Sequence, residues 1–133
     1  YRSIARLIFN NMWTFRKAMK VASPYICADP RFPNMMDRDL TKTTVESFLL
    51  SIASLRQTDL RPNLSQINIP VMGMYGDRDN IVSPQQWQPL INGIPHAKII
   101  RWPHAQHFIM LDTPQDFMGQ LKTFLDGNEE HSR

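Results

Sequence analysis

Apolar residues at Ile4, Leu7, Ile8, Met12, Phe15 and Met19 recur at helical spacing behind Ser3, a residue type that caps helices. The sequence therefore predicts a first helix there. Residues 21–34 hold Pro24, Pro30 and Pro33 and read as an irregular connection with at most one short turn. A second helix is expected over 42–56. Thr43 and Glu46 form a T-x-x-E capping box, and Val45, Phe48, Leu49, Ile52 and Leu55 mark the apolar face. Residues 57–68, with Asp59, Pro62 and Asn63, read as a linker.

The period then changes. Residues 69–75 are a short apolar run ending at Gly76, which suits a buried strand with Pro70 at its first position. A helix over about 84–91 follows, with Ser83 as cap and Pro84 in the first turn. Residues 97–102 form a second strand candidate and 103–112 a loop. Thr113, Pro114 and Asp116 then start a last helix with Phe117, Leu121, Phe124 and Leu125 on its apolar stripe. The tail from 127 to 133 is polar. Strand, helix, strand, helix implies a parallel pair with a right-handed crossover, hence an α/β class. Buried parallel strands need neighbours and cover, so the pattern reads as part of a larger sheet.

A chain of 133 residues, 42% hydrophobic and 20% charged, has the composition of an ordinary globular domain. It holds no apolar run long enough to span a bilayer and no signal-peptide pattern. It begins at Tyr1 rather than Met, which is expected of a boundary made by processing or truncation. Cys27 is the lone cysteine, which excludes an intramolecular disulfide and fits a reducing, cytoplasmic location. Arg2, Arg6, Arg16, Lys17 and Lys20 make the first twenty residues basic. They scatter around an amphipathic helix without any nucleic-acid motif, so a solvated face is expected and nucleic acid is not. The spacing of the four histidines fits no zinc pattern, and the reading calls for neither metal nor cofactor.

In a parallel sheet, functional groups gather beyond the carboxyl ends of the strands. Asp79 lies just after the first strand candidate and His107 just after the second. A carboxylate that accepts from one imidazole nitrogen fixes the tautomer, and the other nitrogen can act as a base. Asp77 reads as a turn former. His104 and His96 do not share the position of His107, and His96 is expected to be exposed.

These residues carry a resemblance. The segment I-N-I-P-V-M-G-M-Y-G-D-R-D-N-I-V-S-P, then I-P-H-A-K-I-I-R-W-P-H-A-Q-H-F and D-T-P-Q-D-F-M-G-Q-L-K-T-F-L, resembles the C-terminal part of the α/β-hydrolase superfamily. The resemblance covers 64–125. It implies Asp79 as catalytic acid and His107 as catalytic histidine; Val82 and Phe108 flank these positions and are expected to line the substrate. Residues 1–62 are similar in type to a helical lid, 63–126 to the C-terminal part of the core, and 127–133 form a flexible tail. Met12, Trp13, Phe15, Met35 and Met36 either line a pocket under such a lid or pack a core. The family usually has Gly before its histidine, where this chain has Gln106.

The family's order is nucleophile, acid, histidine, with the nucleophile on a G-x-S-x-G elbow. No serine of this chain has those flanking glycines. The expectation is a complete protein that hydrolyses an ester or related acyl substrate by a Ser-His-Asp triad. This chain would supply its Asp and His and no nucleophile, and would be inactive alone. A haloalkane dehalogenase or epoxide hydrolase, with a carboxylate nucleophile in the missing half, fits the same residues. So do a lipase, a peptidase and a C–C bond hydrolase. The rival reading is a non-catalytic module that self-associates or pairs with another chain along its sheet edge. The expected partners are thus a small-molecule substrate and either a homo-oligomer or an N-terminal half.

Overall fold

Asn11 opens the first described helix of the computed structural model, which describes residues 11–129. Its backbone is extended and its Oδ1 accepts the Trp13 N–H at 2.8 Å, so helix α1 (Met12–Ala22) starts there. The Ser3 cap, with Ile4, Leu7, Ile8, Arg2 and Arg6, lies outside the described residues. Those residues form two compact units, 11–25 with 29–59 and 26–28 with 60–129.

In the first unit, Phe15 is buried on α1 and its ring lies 5.2 Å from that of Phe48. A single-turn 3₁₀ segment, Ser23–Tyr25, ends α1 at Pro24. The irregular connection expected over 21–34 is in fact interrupted by α2 (Phe32–Leu40), which carries Pro33 in its first turn and buries Phe32 and Leu40. Proline is tolerated there because the first-turn N–H groups have no intrahelical acceptor. Arg16 grips Asp37 with two bonds of 2.8 Å, joining α1 to α2. Arg16 is therefore paired rather than simply solvated, while Lys17 and Lys20 are exposed.

Helix α3 (Val45–Gln57) is capped one residue later than its capping-box pattern implies. Thr44, not Thr43, has the extended backbone, and its hydroxyl accepts the Ser47 N–H at 3.1 Å. The expected apolar face is poorly buried, with Leu49, Ile52 and Leu55 all exposed. Met35 and Met36 are half-buried on α2, and Trp13 is exposed on α1.

In the second unit, β1 (Met72–Gly76) and β2 (Lys98–Trp102) pair in parallel, Met72 opposite Lys98 and Gly76 opposite Trp102. The first strand starts later than the 69–75 expectation. Pro70 has no N–H to give, and the ladder begins with Lys98 N–H on the Val71 carbonyl at 2.8 Å. The crossover holds a 3₁₀ turn (Pro84–Gln86) running into α4 (Trp87–Gly93). Ser83 caps that turn, its hydroxyl accepting the Gln85 N–H at 3.4 Å. The stretch read as a linker contains the 3₁₀ segment Arg61–Gln66, on which α4 packs. The approach is close, since a Cβ on Gly93 would lie 2.5 Å from that of Leu64.

Ile26, Cys27, Ile94, Ala97, Ala105 and Ile109 are the buried core of this unit. The loop expected over 103–112 ends in a single helical turn, α5 (Ile109–Asp112). Pro114 restricts the residue before it, and Thr113 leaves helical geometry at φ −137°, ψ 64°. The last helix, α6 (Pro114–Glu129), then begins with Asp116 in its first turn. It continues through Gly127, where the tail was expected to start. Among the described residues, β1 and β2 are the only strands and no helix is long and apolar enough to cross a membrane. The architecture is that of a partial α/β fold.

Candidate active site

Beyond Gly76 the chain turns at once. Asp79 N–H reaches back to the Gly76 carbonyl at 3.2 Å, closing a four-residue turn. This turn separates the two aspartates. Asp77 continues the sheet, its N–H donating to Trp102 O at 3.0 Å. Strand alternation puts its side chain on the face of Tyr75, whose register partner is Arg101. Arg101 Nε and Nη2 both reach Asp77 Oδ1 at 2.8 Å, and the guanidinium lies 5.6 Å over the Trp87 ring. Asp77 is thus an ion-pair partner as well as a turn residue.

Asp79 points to the histidine loop. Its Oδ1 accepts the N–H groups of Ile81 and Val82 at 2.7 and 2.9 Å. Its Oδ2 meets His107 Nδ1 at 2.9 Å. An ionised carboxylate only accepts, so Nδ1 is the donor, and in the neutral imidazole this leaves the lone pair on Nε2. The Asp79 side chain is 13% exposed and that of His107 30%, which leaves the imidazole the more accessible of the two. Phe108 stands edge-on to the imidazole, with centroids 4.9 Å apart and an interplanar angle of 83°. Val82 is exposed beside the acid turn and Phe108 is half-buried. In β1, burial pushes the Tyr75 hydroxyl above its ordinary range, so it stays neutral.

The two loops touch through their backbones. Arg78 N–H donates to the Ala105 carbonyl at 3.0 Å, and Ala105 is fully buried. A Cβ on Gly76 would fall 2.3 Å from the Gln106 oxygen and 2.5 Å from that of Ala105, so only glycine allows this approach. Gln106, where the family usually has glycine, adopts no positive φ, so the substitution needs no left-handed backbone.

Two groups that hold the histidine loop escape a local reading. His107 N–H donates to the Ile26 carbonyl at 3.1 Å. Asp112 accepts the Gln106 N–H on Oδ2 at 2.6 Å and the Ala28 N–H on Oδ1 at 2.7 Å, with the Cys27 thiol on Oδ1 at 3.2 Å. Asp112 could have been noticed as an acid at the end of the histidine loop; nothing in the sequence around Ile26 signals its role. His104 and His96 are exposed, and His96 Nε2 lies 3.0 Å from the Ile69 carbonyl. No group of three or more metal-binding side chains occurs among the described residues.

The chain is similar over 77 residues, at 34% identity, to a pimeloyl-[acyl-carrier protein] methyl ester esterase of Edwardsiella ictaluri, covering 57% of this chain and 30% of that protein. It is 24% identical over 104 residues to lipase 3 of a Moraxella species, 78% of this chain and 33% of the relative. It is 27% identical over 93 residues to 3-oxoadipate enol-lactonase 2 of Acinetobacter baylyi, 70% of this chain and 34% of the relative. The chain therefore spans about a third of the length of these curated relatives. The family model of the alpha/beta hydrolase fold matches residues 28–114, taking in both strands and the Asp79 and His107 turns. With well over half of its length matched, this chain belongs to the alpha/beta hydrolase fold family.

Proposed function

We propose that the whole protein hydrolyses a carboxylic ester or related acyl substrate, and that this chain contributes the acid and the base of its triad. The observation that carries the reading is the 2.9 Å contact between Asp79 Oδ2 and His107 Nδ1, made by two turns at the same end of a parallel strand pair. In this reading His107 Nε2 removes the proton of a serine hydroxyl and later returns it to the leaving group, while Asp79 orients the ring and balances the imidazolium. Val82 and Phe108 flank these residues and would touch the substrate. In this reading the nucleophile and the oxyanion donors are supplied by a part of the whole protein outside these 133 residues. An esterase, a lipase and an enol-lactonase among the relatives support an acyl substrate, since attack on an ester-type carbonyl serves them all.

The test is hydrolysis of short p-nitrophenyl esters by the whole protein. Turnover is expected there and is not expected of the 133-residue chain by itself. His107→Ala should remove about 10⁴-fold or more of kcat while the variant stays folded. A folded His107→Ala protein with full turnover would overturn the assignment.

A further inference from the structure

The imidazole has two kinds of support. Asp79 and Phe108 act on the ring, but the ring can be no better placed than the backbone that carries it. That backbone is fixed at its own N–H, which donates to Ile26, and at the preceding N–H of Gln106, which donates to Asp112. The Asp112 carboxylate is the link between the two fixings. One oxygen takes Gln106; the other takes Cys27 and Ala28, the pair that directly follows Ile26. The carboxylate thus joins the histidine loop to residues 26–28, which belong to the same compact unit although they are remote in sequence.

We propose that Asp112 is a positioning residue for His107. It sets the height of the imidazole over the end of β1 by tying Gln106 to the segment whose Ile26 carbonyl receives the His107 amide. This rests on the reading of His107 as the general base. The chemistry suits the task, because hydrogen bonds to a charged acceptor are shorter and stronger than neutral ones, and two of these three are 2.6 and 2.7 Å. Asparagine cannot replace it, since one of its two terminal atoms is a donor that would face an N–H.

In the whole protein, Asp112→Asn should lower kcat by up to about a hundredfold with KM little changed, the loss expected of a base displaced by about 1 Å. The proton on His107 Nδ1, followed by NMR, should shift or broaden in the same variant. Asp112→Glu keeps both acceptor oxygens and should recover most of kcat and of the Nδ1–H signal. A folded Asp112→Asn protein that is less stable but has wild-type kcat and an unchanged His107 signal would overturn the proposal. A second measurement needs no variant. In native-state hydrogen exchange, the amides of Ala28, Gln106 and His107 should open with one shared free energy, and clearly different values would also overturn it. His107→Ala separates the two claims. Full turnover there sinks the catalytic reading, whereas lost turnover there with an unaffected Asp112→Asn sinks this one alone.

Discussion

Gly76 lies so close to Ala105 that a methyl group on its α-carbon would sit 2.5 Å from the Ala105 oxygen. Real contacts do not reach that distance, so the end of β1 and the histidine loop are in backbone contact because residue 76 has no side chain. The Arg78 amide on the same carbonyl makes the contact directional.

Gly76→Ala should therefore cost about 1–3 kcal/mol or more, because the obstructing atoms are backbone and cannot rotate away. It should also part the Asp79 and His107 turns. Gly119 in α6 has open space around its α-carbon. Gly119→Ala should leave stability unchanged or raise it by up to about 1 kcal/mol through helix propensity. Urea unfolding midpoints of the two variants check this, and equal midpoints would contradict it.

The two aspartates of the acid turn should behave differently. Asp79→Asn in the whole protein should lower kcat by about 10³–10⁴-fold, because an amide at this place can hold the wrong tautomer of His107. Asp77→Asn removes an ion pair whose arginine is 46% exposed, and should cost below about 1 kcal/mol with kcat near wild type. Steady-state kinetics of the two variants, with matched unfolding curves, decides between them. Comparable losses of kcat would refute the separation of roles.

Arg16 holds the Asp37 carboxyl below its ordinary value of 3.8, chiefly through hydrogen bonds and then through charge. The unfolded chain then binds more protons than the folded one between the lowered value and 3.8. Stability from this pair is complete above that window and is lost as pH falls through the folded value. The urea midpoint should drop on acidification below about pH 4, and Asp37→Asn should flatten part of that slope. An identical slope in the variant would show that the pair does not contribute.

Thr44→Ala should destabilise α3 by about 1 kcal/mol, since it leaves the Ser47 amide without its cap. Thr43→Ala should stay within about 0.5 kcal/mol of wild type. The reverse order in thermal unfolding would restore Thr43 as the cap.

Local pattern located most elements and both turns of the candidate site. The strand candidates at 69–75 and 97–102, the start of the last helix at Pro114, and the positions of Asp79 and His107 follow from periodicity, breakers and the resemblance. These signals are carried by neighbouring residues, so one sequence suffices to show them. Helix α2 was hidden because Pro33 reads as a breaker, although in a first turn it opens a helix.

Sequence by itself determined that this is an α/β chain, that an acid and a histidine follow successive strands, and that it belongs with hydrolases by motif. The resemblance had set Asp79 apart from Asp77, but only the tertiary structure decided how they part, because alternation along β1 sends Asp77 to Arg101 while the Gly76–Asp79 turn carries the second carboxylate to His107. Only the fold could bring Ile26 and Ala28 to the histidine loop, since that contact is between groups with no local signal and depends on the chain returning to the same end of the sheet.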